Sequence, residues 1–167
     1  MSKVYISGKM TGLTSKQIKN NFSKIEKWLL KNNTDVSIIN PAITYNLKKY
    51  DEFSYDDWLS IDFAMLDACD IVVLLPNWKD SMGAKREVAH AYKNNKKVLY
   101  PRYSEAPRVV YNKTFKFNSE KYNCFEENKN LTKQVALEVE KYDLKKAAEN
   151  IFNNFIEKIA EENIGQV

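Results

Sequence analysis

Short apolar runs and helical periodicities alternate along the first hundred residues of the chain. Four runs have the length and composition of buried strands, and they lie at residues 3–7, 35–39, 70–75 and 97–100. Three stretches between them have the spacing of amphipathic helices, and they begin after Thr14 or Ser15, at Ser54 and at Asp80. This alternation predicts an α/β protein of the Rossmann-like type, with right-handed crossovers and a doubly wound parallel sheet.

The remainder of the chain has weaker patterns. Residues 42–53 are predicted to be irregular, with Tyr45, Tyr50 and Phe53 expected to cover a neighbouring group. Residues 103–129 are polar with a strand indicated at 114–117, and residues 131–140 fit either a strand or a helix. An apolar stripe in the last stretch predicts a helix that packs on the domain or on a second subunit, and it consists of Leu144, Ala147, Ile151, Phe155 and Ile159. We therefore divide the chain into a domain at residues 1–102 and a C-terminal helical extension at residues 103–167.

The order of elements predicts where a ligand binds. In doubly wound sheets, ligands bind beyond the carboxyl ends of the strands, and the loops there are residues 7–12, Asn40 onward and residues 76–83. Asp80 and Ser81 are suitable N-caps for the helix that follows, and the free amides of such a helix start favour an anion. Gly8-Lys9 does not belong to a phosphate-binding P-loop, because Met10 stands where that motif has Ser or Thr.

Composition narrows the function classes. The chain of 167 residues has a formal net charge of +4, two cysteines and one histidine. These numbers fit neither a disulfide framework nor a thiolate metal site, and no arginine stripe with interleaved aromatics predicts a nucleic-acid groove. The longest aliphatic run has five residues, from Ile71 to Leu75, so no membrane span is predicted. A cytoplasmic location is expected, because the chain starts almost directly with a strand and not with a signal peptide.

Two carboxylates are predicted to face inward. Glu87 shares a helix face with Ala84 and Ala91, and Asp62 lies four residues after Trp58 on the preceding helix. A carboxylate at the edge of a core needs a partner or a catalytic task, so a structural hydrogen bond is the alternative for each. The neighbours Lys85 and Arg86 either add to the positive field near Glu87 or form the solvated face of the helix, and we assign them to the solvated face.

Taken together, these motifs are more specific than any one of them. The strand and loop Tyr5-Ile6-Ser7-Gly8, the spacing from Asp62 to Asp70, and Ser81-x-Gly83-x-x-x-Glu87-x-x-x-Ala91 resemble the nucleoside 2-deoxyribosyltransferase family. The likeness is closer to that family's 5′-monophosphate N-glycosidase branch and to deoxyribosyltransferase-like proteins that are often phage-borne. It covers residues 3–101, and the extension matches no family that we can name.

The resemblance implies a chemistry for the candidate carboxylates. It implies that Glu87 is a nucleophile for the anomeric carbon, that Tyr5 holds this glutamate, and that Asp62 contacts the sugar and assists proton transfer. A retaining glycosyl transfer needs such a pair of acids. The nucleoside-acting enzymes have an aspartate where this chain has Ser81, whereas the monophosphate glycosidases have a serine that contacts phosphate. They also have a serine where this chain has Lys9.

The expected function is therefore cleavage of the base–sugar bond of a (deoxy)nucleoside 5′-monophosphate, without cofactor or metal. The alternatives are transfer between nucleobases, cleavage of an NAD-type N-glycoside, and a nucleotide sensor without turnover. A homodimer or larger even homo-oligomer is expected, because the family's pockets are completed by a neighbouring subunit. Substrate contacts are expected from Ser7, Gly8, Lys9, Asn40, Ser81 and Gly83.

Overall fold

The computed structural model describes residues 1–47, 52–102 and 125–164. The strand indicated at 114–117, Tyr50 and Cys124 lie outside these residues. The strands are β1 (Ser2–Ser7), β2 (Val36–Ile39), β3 (Ile71–Leu74), β4 (Lys97–Pro101) and β5 (Phe125–Glu127). The α-helices are α1 (Ser15–Asn32), α2 (Tyr55–Asp67), α3 (Met82–Lys93) and α4 (Lys129–Ile164), and two 3₁₀ helices occupy Pro41–Leu47 and Trp78–Asp80.

The strands form one sheet in the order β2-β1-β3-β4-β5. The first four are parallel, and β5 is antiparallel to β4. The predicted α/β Rossmann-like class is confirmed, with an antiparallel edge strand added to the parallel sheet. β5 was not predicted because its three residues, two of them glutamates, are too few to give an alternating pattern.

Helices cover both faces of the sheet, so the sheet is doubly wound. On one face, α1 buries Ile18, Phe22 and Ile25 against Ile6 and Val73. On the other face, apolar residues of α2, α3 and α4 pack against alternate residues of the same strands, and the cluster includes Leu66, Val88, Val135, Val72 and Val98. Alternating inward positions of β1 and β3 thus contribute to two separate cores.

The helix starts follow the predicted capping residues. Thr14 accepts a hydrogen bond from the amide of Gln17, and Ser54 accepts one from that of Asp57. In return, the side chain of the third helical residue accepts a hydrogen bond from the backbone amide of the capping residue, which completes a capping box at each helix. The prediction that residues 42–53 are irregular is wrong for its first part, because a 3₁₀ helix begins at Pro41. The Asn40 side chain accepts from the amide of Ala42 at 3.0 Å, which supports a helical turn there.

Residues 131–140, which fitted a strand or a helix, belong to the 36-residue helix α4. Its first part is buried, where Ala136 and Val139 pack on Ala89 of α3. Farther along, Leu144 is 66% exposed and Ile151 is 71% exposed. The extension therefore packs on its own domain through its first turns, while the predicted stripe faces solvent from Leu144 to Phe155. No helix in the described ranges is both long and apolar enough to cross a membrane.

Candidate functional site

The centre of the sheet contains the point at which the strand order reverses. The chain passes from β1 to β2 on one side and from β3 to β4 on the other, and β1 and β3 are neighbours. Their carboxyl ends lie close together, since the backbone amide of Leu75 donates to the carbonyl of Ser7 at 2.7 Å. A Cβ atom at Gly8 would lie 2.7 Å from Cβ of Leu75, so only glycine allows this approach. Such a switch point is where α/β sheets bind ligands.

Glu87 of α3 lies at this point and is only 5% exposed. The hydroxyl of Tyr5 donates to its Oε1 atom at 2.7 Å, and the hydroxyl of Ser7 donates to its Oε2 atom. Tyr5 and Ser7 are two residues apart on β1, so their side chains leave the same face of the strand. Both carboxylate oxygens are therefore fixed by β1, an inner strand of the sheet.

The surroundings of Glu87 disfavour its charge. Burial, and then the negative charge of Asp62, raise the pKa of Glu87 from its ordinary 4.5 to about 8, although the two hydroxyl contacts act in the opposite direction. Burial and the charge of Glu87 likewise raise the pKa of Tyr5 well above its usual value, so its hydroxyl remains a donor at all ordinary pH values. Glu87 thus combines a fixed orientation with a perturbed pKa, which is typical of functional carboxylates.

This shift predicts a pH dependence of stability. Below pH about 4.5, Glu87 is protonated in both the folded and unfolded chain, whereas from there to about 8 only the folded chain retains the proton. The free energy of unfolding should therefore fall by up to about 1.4 kcal/mol per pH unit in this window and level off above it. Denaturant unfolding of the parent and of Glu87→Gln at pH 5, 6.5 and 8 measures this contribution, because other titrating groups cancel in the difference. Parallel profiles for the two proteins would contradict the assignment.

A cavity of about 110 Å³ opens beside Glu87. Asp62 contributes to it from α2, and Ser81 contributes from the start of α3. Ser81 and Glu87 are six positions apart, which corresponds to roughly 9 Å along a helix. The other residues that line the cavity are Gly8, Met10, Thr11, Thr44, Tyr45, Tyr55, Trp58, Leu59, Gly83 and Ala84. The cavity therefore brings the two predicted carboxylates together with the predicted anion site.

Ser81 is the N-cap of α3, and its hydroxyl accepts from the amide of Ala84 at 3.2 Å. This confirms the predicted capping role, although the helix begins two residues later than Asp80. Gly83 lies in the first turn, where an added Cβ atom would be 3.2 Å from the hydroxyl of Tyr55. The absence of a side chain at Gly83 lets the tyrosine hydroxyl approach the helix start.

The predicted substrate contacts are not all brought to this cavity. Gly8, Ser81 and Gly83 line it, whereas Lys9 lines an adjoining cavity. Ser7 does not line it, because its hydroxyl is directed at Glu87. Ser7 therefore positions the carboxylate in this structure, a role that the sequence did not indicate.

Asn40 lies elsewhere. It lines a larger cavity of about 750 Å³ between α1, β2 and the first 3₁₀ helix, and its side-chain amide donates to Glu26 at 3.0 Å. That cavity includes neither Glu87 nor Asp62. Asn40 directly follows β2, which is one strand away from the switch point, so Asn40 itself lies beside the site, whereas Thr44 and Tyr45 farther along the same connection line the cavity.

Aromatic residues on α2 and before it form a wall that was only partly predicted. Tyr45, from the stretch expected to cover something, lines the cavity together with Tyr55 and Trp58. The ring of Phe53 packs on that of Trp58 with centroids 5.3 Å apart. Residues 55, 58 and 62 lie on one face of α2. Once Asp62 was predicted to face the site, the same spacing could have predicted that Tyr55 and Trp58 line it too.

Two neighbours of Glu87 differ from prediction. Lys85 and Arg86, assigned to a solvated face, make ion pairs with α4: Lys85 to Glu138 at 2.6 Å, and Arg86 to Asp143 at 2.8 Å. Arg86 is also 3.7 Å from Asp56, and its side chain is 13% exposed. The assignment was wrong because the extension, whose position the sequence did not reveal, covers this face of α3.

The remaining candidates have structural partners. The side chain of Asp70 accepts from the backbone amide of Lys3 at 2.9 Å, and His90 contacts Asp67 at 2.8 Å while it stacks on Phe63. Among the residues that the structure describes, no group of three or more His, Cys, Asp or Glu side chains is arranged to hold a metal ion.

Comparison with known proteins gives one match. A family model described as a domain of unknown function, DUF4406, matches residues 2–100, which include β1 to β3, all but the last residue of β4, and every lining residue of the cavity beside Glu87. No curated protein and no solved structure matches the chain. Since the match covers more than half of its length, the chain belongs to the DUF4406 family.

Proposed function

We propose that this protein cleaves the base–sugar bond of a (deoxy)nucleoside 5′-monophosphate through a covalent glycosyl–Glu87 intermediate. One observation carries the proposal: a buried carboxylate, with a hydroxyl donor on each oxygen, faces a small cavity that also contains a second carboxylate. A retaining N-glycosidase needs one carboxylate as nucleophile and another group as acid. Glu87 is suited to the first role because its oxygens are held in place, and Asp62 is suited to the second.

The reaction has two steps. A Glu87 oxygen attacks the anomeric carbon, the carbon–nitrogen bond breaks, and the base leaves with the bonding electrons and a proton from Asp62. Water then attacks the same carbon, the bond to Glu87 breaks, and the water proton passes to Asp62. The products are a free base and a sugar phosphate, and both carboxyl groups return to their initial state.

The raised pKa of Glu87 has a consequence for the first step. Near neutral pH Glu87 is mainly protonated, whereas attack on the anomeric carbon requires its ionised form. The hydroxyls of Tyr5 and Ser7 stabilise this ionised form, so loss of the proton is aided by contacts that already exist. Asp62, which lines the same cavity, is the proposed acceptor of that proton.

We assign the substrate's phosphate to the Ser81 end of the cavity, away from Glu87. Ser81 offers a neutral hydroxyl beside the first amides of α3, and such a helix start favours an anion through its amides and its dipole. An aspartate in its place would repel a phosphate. The distance along the helix from Ser81 to Glu87 suits a substrate with the phosphate at one end and the anomeric carbon at the other.

Base release tests the proposal directly. The protein is incubated with a mixture of nucleosides and their 5′-monophosphates, and free bases are quantified by chromatography without any acceptor base. We expect bases from the monophosphates and a transient mass increase on the peptide that contains Glu87. No base from any nucleotide would contradict the proposal, and base exchange only when a second base is supplied would indicate transfer in place of hydrolysis.

We also propose that two copies of the chain associate through the exposed part of α4. The apolar residues beyond Val139 recur at helical spacing and lie near Ile151, and they include Leu144, Phe152, Phe155 and Ile156. Residues 141–145 contain two lysines and one aspartate, whereas residues 157–162 contain three glutamates and one lysine. An antiparallel pair that crosses near Ile151 therefore places opposite charges next to each other and buries both stripes.

The dimer has a sharp test. Ile151→Lys should convert the dimer to a monomer of 19.5 kDa, because it places two like charges at the crossing point. Asn153→Lys is the matched control, since it adds the same charge on the opposite side of the helix. Light scattering measures both. A parent protein that is monomeric at working concentration, or an equal effect of the two substitutions, would contradict the proposal.

A further inference from the structure

A second cavity adjoins the one beside Glu87 and has a volume of about 350 Å³. The two share Thr11, Tyr55, Ser81 and Gly83, so the start of α3 forms part of both walls. The second cavity is also lined by Tyr142 and Lys146, which belong to α4. The C-terminal extension, which lies outside the residues matched by the family model, therefore reaches the Ser81 end of the candidate site.

The charges around this second cavity favour an anion. Three basic residues line it, Lys9, Arg86 and Lys146, against one acidic residue, Asp80. Arg86 is neutralised by its ion pairs to α2 and α4, although its Nε atom is buried without a hydrogen-bond partner among the described residues. Lys146 makes no ion pair and no hydrogen bond to another residue in the described part of the chain, so its charge is available to a ligand.

The position of Lys146 is set by contacts of its neighbours. Asp143 is bound by Arg86, and Glu138 is bound by Lys85, so two ion pairs fix this part of α4 along α3. Tyr142 and Lys146 are four residues apart and share a helical face. The ion pairs thus place one face of α4 beside the capping turn that begins at Ser81.

We propose that Lys146, with Tyr142 beside it, forms the outer half of the phosphate subsite whose inner half is Ser81 and the first turn of α3. The identity of the substrate as a nucleotide rests on the function proposed above, whereas the binding of a phosphate group does not. A lysine suits this place because its ammonium is a compact charge on a flexible stem, which can follow a phosphate at the rim of a cavity. The extension would then decide which anionic substrates are accepted.

The test compares Lys146→Ala with Lys145→Ala. Both remove one lysine from adjacent positions of α4, so they change the net charge equally, and light scattering checks that both variants keep the oligomeric state of the parent. Lys145 is paired with Glu149 at 3.8 Å and does not line the cavity. Two quantities are measured for the parent and both variants: binding of inorganic phosphate by titration calorimetry, and KM for a nucleoside 5′-monophosphate and for its nucleoside.

We expect Lys146→Ala to weaken phosphate binding and to raise KM for the monophosphate by about ten- to a hundredfold, the range for a lost charge-assisted contact, and to leave KM for the nucleoside unchanged. Lys145→Ala should leave both quantities unchanged, and Lys146→Arg should restore most of the loss. Equal phosphate binding by Lys146→Ala and the parent would overturn the inference, as would equal losses in both alanine variants.

The two proposals can fail separately. If no nucleotide releases a base, the proposed function fails, while the phosphate titration still decides the role of Lys146. If bases are released and Lys146→Ala behaves as the parent in both measurements, the function stands and the subsite of the extension is wrong.

Discussion

Glu87→Gln should abolish base release while the protein remains folded. The expected loss of kcat is at least about 10⁴-fold, because an amide is not a nucleophile for the anomeric carbon and no other group replaces the carboxylate. Folding should persist because the amide oxygen can accept from Tyr5 and the amide nitrogen can donate to the hydroxyl of Ser7. The variant should even be more stable than the parent near pH 8, since it removes a charge that burial disfavours.

Turnover is measured by chromatography of the released base, and folding by thermal unfolding. Asp67→Asn is the matched control, because it removes a carboxylate from α2 that contacts His90 and does not line the cavity. It should retain parental activity. Substantial turnover by Glu87→Gln would show that Glu87 is not the nucleophile. The hydrogen bonds of Glu87 with Tyr5 and Ser7 would then serve only the stability of the fold.

Ser81→Asp should reverse the substrate preference of the protein. In the parent, two charge-assisted contacts of about 1.5–3 kcal/mol each imply at least a hundredfold higher kcat/KM for the monophosphate than for the nucleoside. The aspartate would repel the phosphate and offer an acceptor to a free 5′-hydroxyl, so the nucleoside should become the better substrate. Aspartate is as good an N-cap as serine, so α3 should begin at the same residue and any change is attributable to charge.

Ser81→Ala separates the added charge from the lost hydroxyl. It should lower kcat/KM for the monophosphate without favouring the nucleoside, and it should cost about 1 kcal/mol of stability because the cap on Ala84 is lost. The decisive measurement is the ratio of the two kcat/KM values in each variant. If the parent has equal kcat/KM values for the monophosphate and the nucleoside, Ser81 does not bind phosphate and is only a helix cap.

The sequence predicted those parts of the fold that depend on local patterns. The stripe from Ile18 to Leu29 and the caps at Thr14 and Ser54 define α1 and α2 within a residue or two, because periodicity and capping act over only a few positions. β5 and the 3₁₀ helix at Pro41–Leu47 were missed. Both are short, and β5 depends on pairing with β4 and not on its own composition.

Two residues of the candidate site could be predicted because they lie on helices, where their spacing from apolar neighbours shows which way they face. Glu87 and Asp62 were selected because each shares a face with apolar neighbours, and both line the same cavity. The contact of Ser7 with Glu87 spans 80 positions, and no pattern within the loop distinguishes a serine that binds substrate from one that holds a carboxylate. The ion pairs of Lys85 and Arg86 depend on where α4 docks, which is also non-local.

The two walls of the cavity beside Glu87 differ in how deeply their residues are buried. Glu87 is held by Tyr5 and Ser7, two almost fully buried residues of the inner strand β1, and amides in such buried parts of a sheet exchange with solvent only when the whole domain unfolds. The opposite wall comes from Tyr45, which is half-buried, and from Tyr55, the first residue of α2, which is 50% exposed. The cavity should therefore admit and release its ligand by motion of the aromatic wall, while Glu87, the proposed nucleophile, stays in place.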